Sequence, residues 1–324
     1  MQKLDSLTLP DILPHEKAIK SWGQNIHNYE PEFWEFFYDI NKYLKNLAQE
    51  KLNERYKILS RNLHVLTSPE RHVIPINSFL SSWYWYQKEH QTRYEFLLRG
   101  VPLPNSPPQP RTPIKKPFRP KGPNSCDIIF RYGELKYMKS FVDKGIIRIS
   151  PASEYKDGNA SDPRTDDEMN KHRWELGDQI KITTPDGKER SIIGDLKRTV
   201  STSNNYYTLC CSCDFEPIIF EEFNYDSCVV IKNPGEFANR LEKAAKKQLP
   251  VPGWYFHHNP IEYFDPHVTT KNQYSSATMS KDFSYAYQME YRFLWDPLNN
   301  GNAEKHIKVN LGSLKDICEL YVLN

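Results

Sequence analysis

Ser284-Tyr-Ala-Tyr-Gln-Met-Glu-Tyr-Arg-Phe-Leu-Trp295 is an aromatic, strand-like run near the C-terminus. Residues two apart on a strand share a face, so this run predicts Gln288 and Glu290 projecting together into one cleft. The same alternation would also serve a strand whose polar face, with Gln288, Glu290 and Arg292, is simply solvated. A second candidate strand, Asp127-Ile-Ile-Phe-Arg-Tyr132, carries Arg131, and Ser-rich segments lie between the two.

Further strands are expected at 146–149, 179–183, 191–195, 207–212, 228–232, 307–311 and 317–323. Helices are expected at 134–144 and 234–247, the second opened by a proline in its first turn. Many strands and few helices disfavour a doubly wound parallel sheet. The pattern predicts an α+β domain over 125–324, built on a mixed, mostly antiparallel sheet with flanking helices.

Residues 1–100 read as a helical accessory or regulatory region. Within it Phe33, Phe36, Phe37, Ile40, Tyr43, Leu44 and Leu47 keep a helical stripe, and Ser78 to Leu98 predicts a second, Trp- and Tyr-rich helix. Between the two parts, 101–124 is a proline-rich connector whose Arg111, Lys115, Lys116, Arg119 and Lys121 stand without a neighbouring acid. Such a segment favours extended backbone and reads as a solvated basic linker, or as one that tracks phosphates or an acidic partner.

Length bounds the rest. At 324 residues two domains are the default expectation, and a formal charge of +2 gives no global case for nucleic acid. No apolar run reaches membrane-spanning length and no leader pattern opens the chain, which implies a cytoplasmic protein without membrane association. Of the six cysteines, Cys210 and Cys213 form a CxxC, but inside a strand-like run and without two further ligands at zinc spacing. Buried reduced thiols are the expectation. No dinucleotide Gly-x-Gly-x-x-Gly, P-loop or zinc-protease motif is present, and His257-His258 reads as an exposed turn.

The order Ile129-Phe-Arg-Tyr132, Gly145-Ile-Ile-Arg-Ile-Ser-Pro151, Tyr155-Lys-Asp157 with Asp166-Asp-Glu168, Tyr206-Tyr-Thr-Leu-Cys-Cys-Ser212 and Tyr287-Gln-Met-Glu-Tyr-Arg292 resembles a bacterial domain family found in abortive-infection and phage-defence settings. The layout over about 125–323 is also similar to ADP-ribosyltransferases of the Arg-Ser-Glu type. That resemblance implies an ADP-ribosyltransferase-like fold and NAD as substrate. It implies a macromolecular acceptor, protein or nucleic acid, and a neutralising antitoxin partner if the domain is a toxin. By the same resemblance Arg131 would hold the pyrophosphate, Glu290 would stabilise the oxocarbenium-like transition state, and Gln288 would orient the accepting nucleophile. Either Ser203, in Ser201-Thr-Ser203, or Ser212 would supply the serine element, and Tyr206 or Tyr207 would stack on nicotinamide.

Two other classes stay open. Asp186 followed by Asp195-Leu-Lys197 has the acid and acid-x-lysine spacing of a metal-dependent nuclease, although Thr184-Pro-Asp-Gly-Lys188 is equally a hairpin turn. The acids Asp162, Asp166, Asp167 and Glu168 read as a divalent-ion cluster or a solvated loop. The third class is a nucleotide sensor that binds without turnover.

Overall fold

Three helices come first in this computed structural model: α1 (Pro31–Asn41), α2 (Gln49–Leu66) and α3 (Tyr84–Arg99). Then follow β1 (Ile129–Gly133), α4 (Leu135–Lys144), β2 (Ile146–Pro151), β3 (Asn170–Leu176), β4 (Lys181–Thr183), β5 (Glu189–Ser191), β6 (Asp195–Ser201) and β7 (Tyr207–Ser212). The remainder is α5 (Pro217–Phe223), β8 (Ser227–Ile231), α6 (Pro234–Ala245), β9 (Trp254–Pro260), β10 (Glu262–Phe264), β11 (Ser280–Asp282), a 3-10 helix (Phe283–Gln288), β12 (Glu290–Pro297), β13 (Ile307–Asn310) and β14 (Cys318–Val322). The structure describes residues 31–66, 84–105, 126–156, 166–177, 180–191, 194–250, 253–268, 273–298 and 301–323. Most of the expected basic linker, and the expected helical content of 15–30 and 67–83, lie outside them.

The chain is α+β with a mostly antiparallel sheet. Its organising strand is β7, five of whose six residues are buried. One edge of β7 pairs along its length with β12, from Glu290↔Ser212 to Trp295↔Tyr207. The other edge is shared: β2 pairs with its start, at Ser150↔Thr208, and β1 with its end, at Phe130↔Ser212. β8 and β14 continue outward from β1, β13 from β2, and β9 from β12. Only β10 and β11 pair in parallel among the described strands. The forked sheet explains the near-continuous apolar reading of β8, Ser-Cys-Val-Val-Ile, which is buried throughout.

α4 and α6 are amphipathic and cover one face, burying Phe141 and Val142 from the first and Phe237 and Leu241 from the second. Gly145 ends α4 in the left-handed region, at φ 61°, and a Cβ there would stand 2.2 Å from the Gly312 carbonyl oxygen. Glycine is the residue that fits this cap.

Two sequence expectations are corrected in the helical region. α1 stops at Asn41 and Lys42 takes φ 38°, so Tyr43, Leu44 and Leu47 do not extend its stripe. α1 also turns the opposite face inward: Trp34 and Tyr38 are buried, whereas Phe36 and Ile40 are 57% and 69% exposed. The Tyr38 hydroxyl explains the choice, because it donates to Glu95 of α3 inside the helical core. In addition, Trp34, Leu59, Leu63 and Trp85 belong to the same continuous core as Ile129, Tyr206 and Phe293. The helices therefore pack into the sheet domain directly.

The cysteines depart from the expectation of six thiols. Cys126 and Cys213 are bridged, joining the start of the sheet domain to the residue after β7. Cys211, Cys228 and Cys318 are buried and unbridged, and Cys210 is half-buried and unbridged. His257 and His258 sit in β9 rather than in an exposed turn, paired opposite Leu294 and Phe293. Among the described residues no helix is long and apolar enough to cross a membrane.

Candidate functional site

Arg131, Ser212, Gln288 and Glu290 line one cavity of about 130 Å³. The strand register brings them there. Ser212, at the end of β7, is the Cα partner of both Phe130 and Glu290, so the neighbour of Arg131 and the first residue of β12 flank it. Gln288 arrives differently from the expectation. It closes the 3-10 helix and does not share a strand with Glu290, and Met289 between them takes the left-handed conformation, φ 44° and ψ 48°. A non-glycine residue pays about 1 kcal/mol or more for that conformation, so its surroundings must hold it. They do so at three backbone amides. Cys213 N–H donates to the Met289 carbonyl, Tyr287 N–H to Asn62, and Glu290 N–H to the Tyr263 hydroxyl.

Behind the cavity lies a buried charge network. Arg292 is fully buried; it donates to Glu290 at 2.7 Å, to Glu168 at 2.9 Å and to the Thr278 carbonyl at 2.6 Å. Lys281 donates to Gln288 and Glu290, each at 3.2 Å, and lies 3.5 Å from both Glu168 and Asp166. Lys171 reaches the second oxygen of Glu168 at 3.3 Å. Three carboxylates and three cations thus balance in the interior, which is the condition under which buried charge is tolerated.

The carboxylates are not equivalent. Burial opposes the charge of Glu168, but Arg292, Lys171 and Lys281 outweigh it and hold its carboxyl well below the usual range. Glu290 is likewise lowered, with burial and Glu168 opposing and Arg292 and Lys281 prevailing. Asp166 goes the other way: burial and then repulsion from Glu168 push it up to about 6. Its native pKa exceeds its usual value, so the folded protein holds a proton that the unfolded chain releases, and stability falls as pH rises from about 4 through about 6. Asp166→Asn is expected to raise the unfolding free energy at pH 7.5 by on the order of 1–3 kcal/mol, and with it the melting temperature, and to do little near pH 4. Thermal melts of both proteins across that range check the sign.

Arg131 is the exception to the pairing. It donates to the Cys210 carbonyl at 2.5 Å, and among the described residues no carboxylate pairs with it. A half-buried guanidinium that faces the cavity and is itself paired with a carbonyl rather than a carboxylate is suited to an anionic ligand. The cavity is also bordered by the rings of Tyr155, Phe223 and Tyr225. Cys210 and Cys211 line it too, but burial pushes both thiols up to about 12, so neither is a ready nucleophile at neutral pH.

The remaining sequence candidates fall elsewhere. Ser203 is exposed in the bend after β6 and does not border the cavity. Tyr207 turns its hydroxyl to the Lys305 carbonyl, and Tyr206 donates to the Glu168 carbonyl, so neither ring lines the cavity. Asp186 caps the β4–β5 turn, accepting from the Thr184 hydroxyl and pairing with Lys188. Asp195 and Lys197 line a separate cleft of about 450 Å³ between α2 and β6. No three His, Cys, Asp or Glu side chains are grouped to hold a metal among the described residues. Asp162 lies outside them, Asp167 bonds Asn170 and Lys156, and Glu168 is neither solvated nor a ligand but the hinge of the buried network.

Lys281 and Glu168 were missed as site residues. Lys281 sits in Ser280-Lys-Asp282, too short and polar to read as a strand. Glu168 was masked by its acidic neighbours, although Asp166 and Glu168 stand two apart, the spacing that turns both to one side, where Lys281 meets them. In comparisons with protein families, characterised proteins and solved structures, nothing matches the chain.

Proposed function

We propose that the chain is an NAD-dependent ADP-ribosyltransferase that modifies a macromolecule, acting as a toxin in phage defence. The observation that carries this reading is the convergence of Arg131, Ser212, Gln288 and Glu290, from β1, β7 and the β12 entry, on one cavity. All four are among the residues that the family resemblance implies; Ser203, the alternative to Ser212, and Tyr206 and Tyr207 stand outside the cavity.

In this reading Arg131 pairs with the pyrophosphate of NAD, and an aromatic wall of Tyr155, Phe223 and Tyr225 packs against a planar ring. The glycosidic C–N bond breaks with its electron pair leaving on neutral nicotinamide, the acceptor nucleophile bonds to the ribose carbon, and the nucleophile's proton passes to bulk water. Glu290, kept ionised by Arg292 and Lys281, stabilises the positive charge that develops on the ribose. About 130 Å³ accommodates one ring or one phosphate rather than a dinucleotide, since pockets for drug-sized ligands run roughly 300–1,000 Å³. Ser212 donates to the Asp214 carbonyl and contributes at the cavity floor.

Purified protein mixed with cell lysate and labelled NAD is expected to transfer label to protein or nucleic acid with release of nicotinamide, and Glu290→Gln is expected to lower the rate about 10²–10³-fold. A folded sample that releases no nicotinamide and labels nothing rules the transferase out. One feature favours a sensor as the second reading: both Glu290 oxygens are already engaged, one by Arg292 and one by Lys281. A sensor binds the nucleotide and leaves its glycosidic bond intact, which the same assay, run beside equilibrium binding, distinguishes.

A further inference from the structure

The N-terminal helices touch the turn that delivers Gln288 and Glu290. We infer that Asn62, near the C-terminal end of α2, is a positioning residue for the cavity, and that the helical region is a structural part of the site. Asn62 is 1% exposed, and its side-chain oxygen accepts from Tyr287 N–H at 2.9 Å. Its amide nitrogen donates to the Ser284 carbonyl at 3.3 Å and to its own helix, at the Ile58 carbonyl, at 3.0 Å. One side chain thereby splints the 3-10 helix at both its second and fifth residues.

The next link runs through Tyr287. The Arg61 guanidinium lies 4.9 Å from the centre of its ring and pairs with Glu222 of α5. The Tyr287 hydroxyl accepts from the Gln288 side-chain amide at 3.2 Å, and the other end of that amide accepts from Lys281. The Gln288 amide is therefore oriented from both ends, with Tyr287 held by α2 on one side and the charge network on the other. Trp85 of α3 stacks on Phe283, the first residue of the same 3-10 helix. A backbone turn whose left-handed Met289 is intrinsically unfavourable depends on such external bonds to keep one geometry. Displacements of about 1 Å at reacting groups cost about 10²-fold in rate.

The catalytic consequence rests on the transferase reading, whereas the splint does not, and the test separates them. Amide hydrogen exchange across 284–290 is measured on the full chain for wild type, Asn62→Ala, Arg61→Met and Leu52→Val, beside steady-state nicotinamide release. Leu52→Val thins the helical core away from this turn and is the control for lost stability alone. Asn62→Ala is expected to speed exchange of the Tyr287 amide at least tenfold and to lower kcat about 10- to 100-fold, with KM for NAD within about threefold. Arg61→Met, at a half-exposed position, is expected to move both in the same direction by a smaller factor, and it carries the test if Asn62→Ala does not fold. Unchanged exchange at Tyr287 in whichever of these variants folds overturns the inference. So does an equal kcat loss in Leu52→Val. If wild type releases no nicotinamide, the transferase reading falls and exchange at Tyr287 alone decides the splint.

Discussion

Arg292→Leu is expected to cost about 3–5 kcal/mol of stability. Leucine is apolar like Leu294, which is two positions on, on the same face and buried, so the loss does not come from a strand residue of the wrong kind. It comes from Glu168 and Glu290, which remain buried with only lysines to balance them. Typical domains have a net stability of about 5–15 kcal/mol, so much of the folded population would be lost at physiological temperature. Denaturant titration of Arg292→Leu, and of Arg292→Leu combined with Glu168→Gln, checks the cause. Neutralising Glu168 should recover part of the loss, giving a coupling of at least about 1 kcal/mol. Additive losses would mean that water reaches the network and screens its members separately.

The second large effect is on ligand binding. Arg131→Ala is expected to weaken binding of ADP-ribose about 10- to 100-fold while leaving the melting temperature nearly unchanged, because a charge-assisted contact is worth about 1.5–3 kcal/mol. The contrast with Arg292 is instructive, since both are arginines on central strands facing the same region. Arg292 is saturated by two carboxylates and a carbonyl, whereas Arg131 donates to one carbonyl, that of Cys210. One arginine holds the fold and the other is available to a ligand. Calorimetric titration with ADP-ribose, beside a thermal melt, separates the two roles. Undiminished affinity in Arg131→Ala would remove it from the site. The same logic makes Glu290→Ala a poor probe, since it strands Arg292 and Lys281 and confounds lost chemistry with lost folding.

The strands of the central sheet were legible because burial on both faces writes a simple pattern. Tyr207-Thr-Leu-Cys-Cys-Ser212 reads as a strand and is one, with the same ends. β3, β9, β10 and β11 were not read: the first three mix polar and aromatic residues without alternation, and β11, Ser280-Lys-Asp282, is short and wholly polar. His257 and His258 look like a turn until β12 is seen beside them. The site was legible at Arg131, Ser212, Gln288 and Glu290, where short motifs stand in order. It was opaque at Lys281 and Glu168, whose importance arises only when distant segments pack and cancel charge. The α1 stripe misled because periodicity reports which residues share a face, not which face turns inward; Tyr38 and its bond to Glu95 decided that.

β2 and β7 are neighbours in the sheet, yet the chain between them makes the whole β3–β6 excursion. Its root is fixed: Glu168 and Lys171 anchor it in the charge network, and Asn170↔Ser201 closes the ribbon just above. Its tip, the β4–β5 hairpin, pairs with itself alone among the sheets. The excursion is therefore built as an interchangeable arm on a fixed socket. A change in the length or charge of the hairpin therefore leaves in place the strands that carry Arg131 and Glu290, so among the described residues its tip is little tied to the cavity.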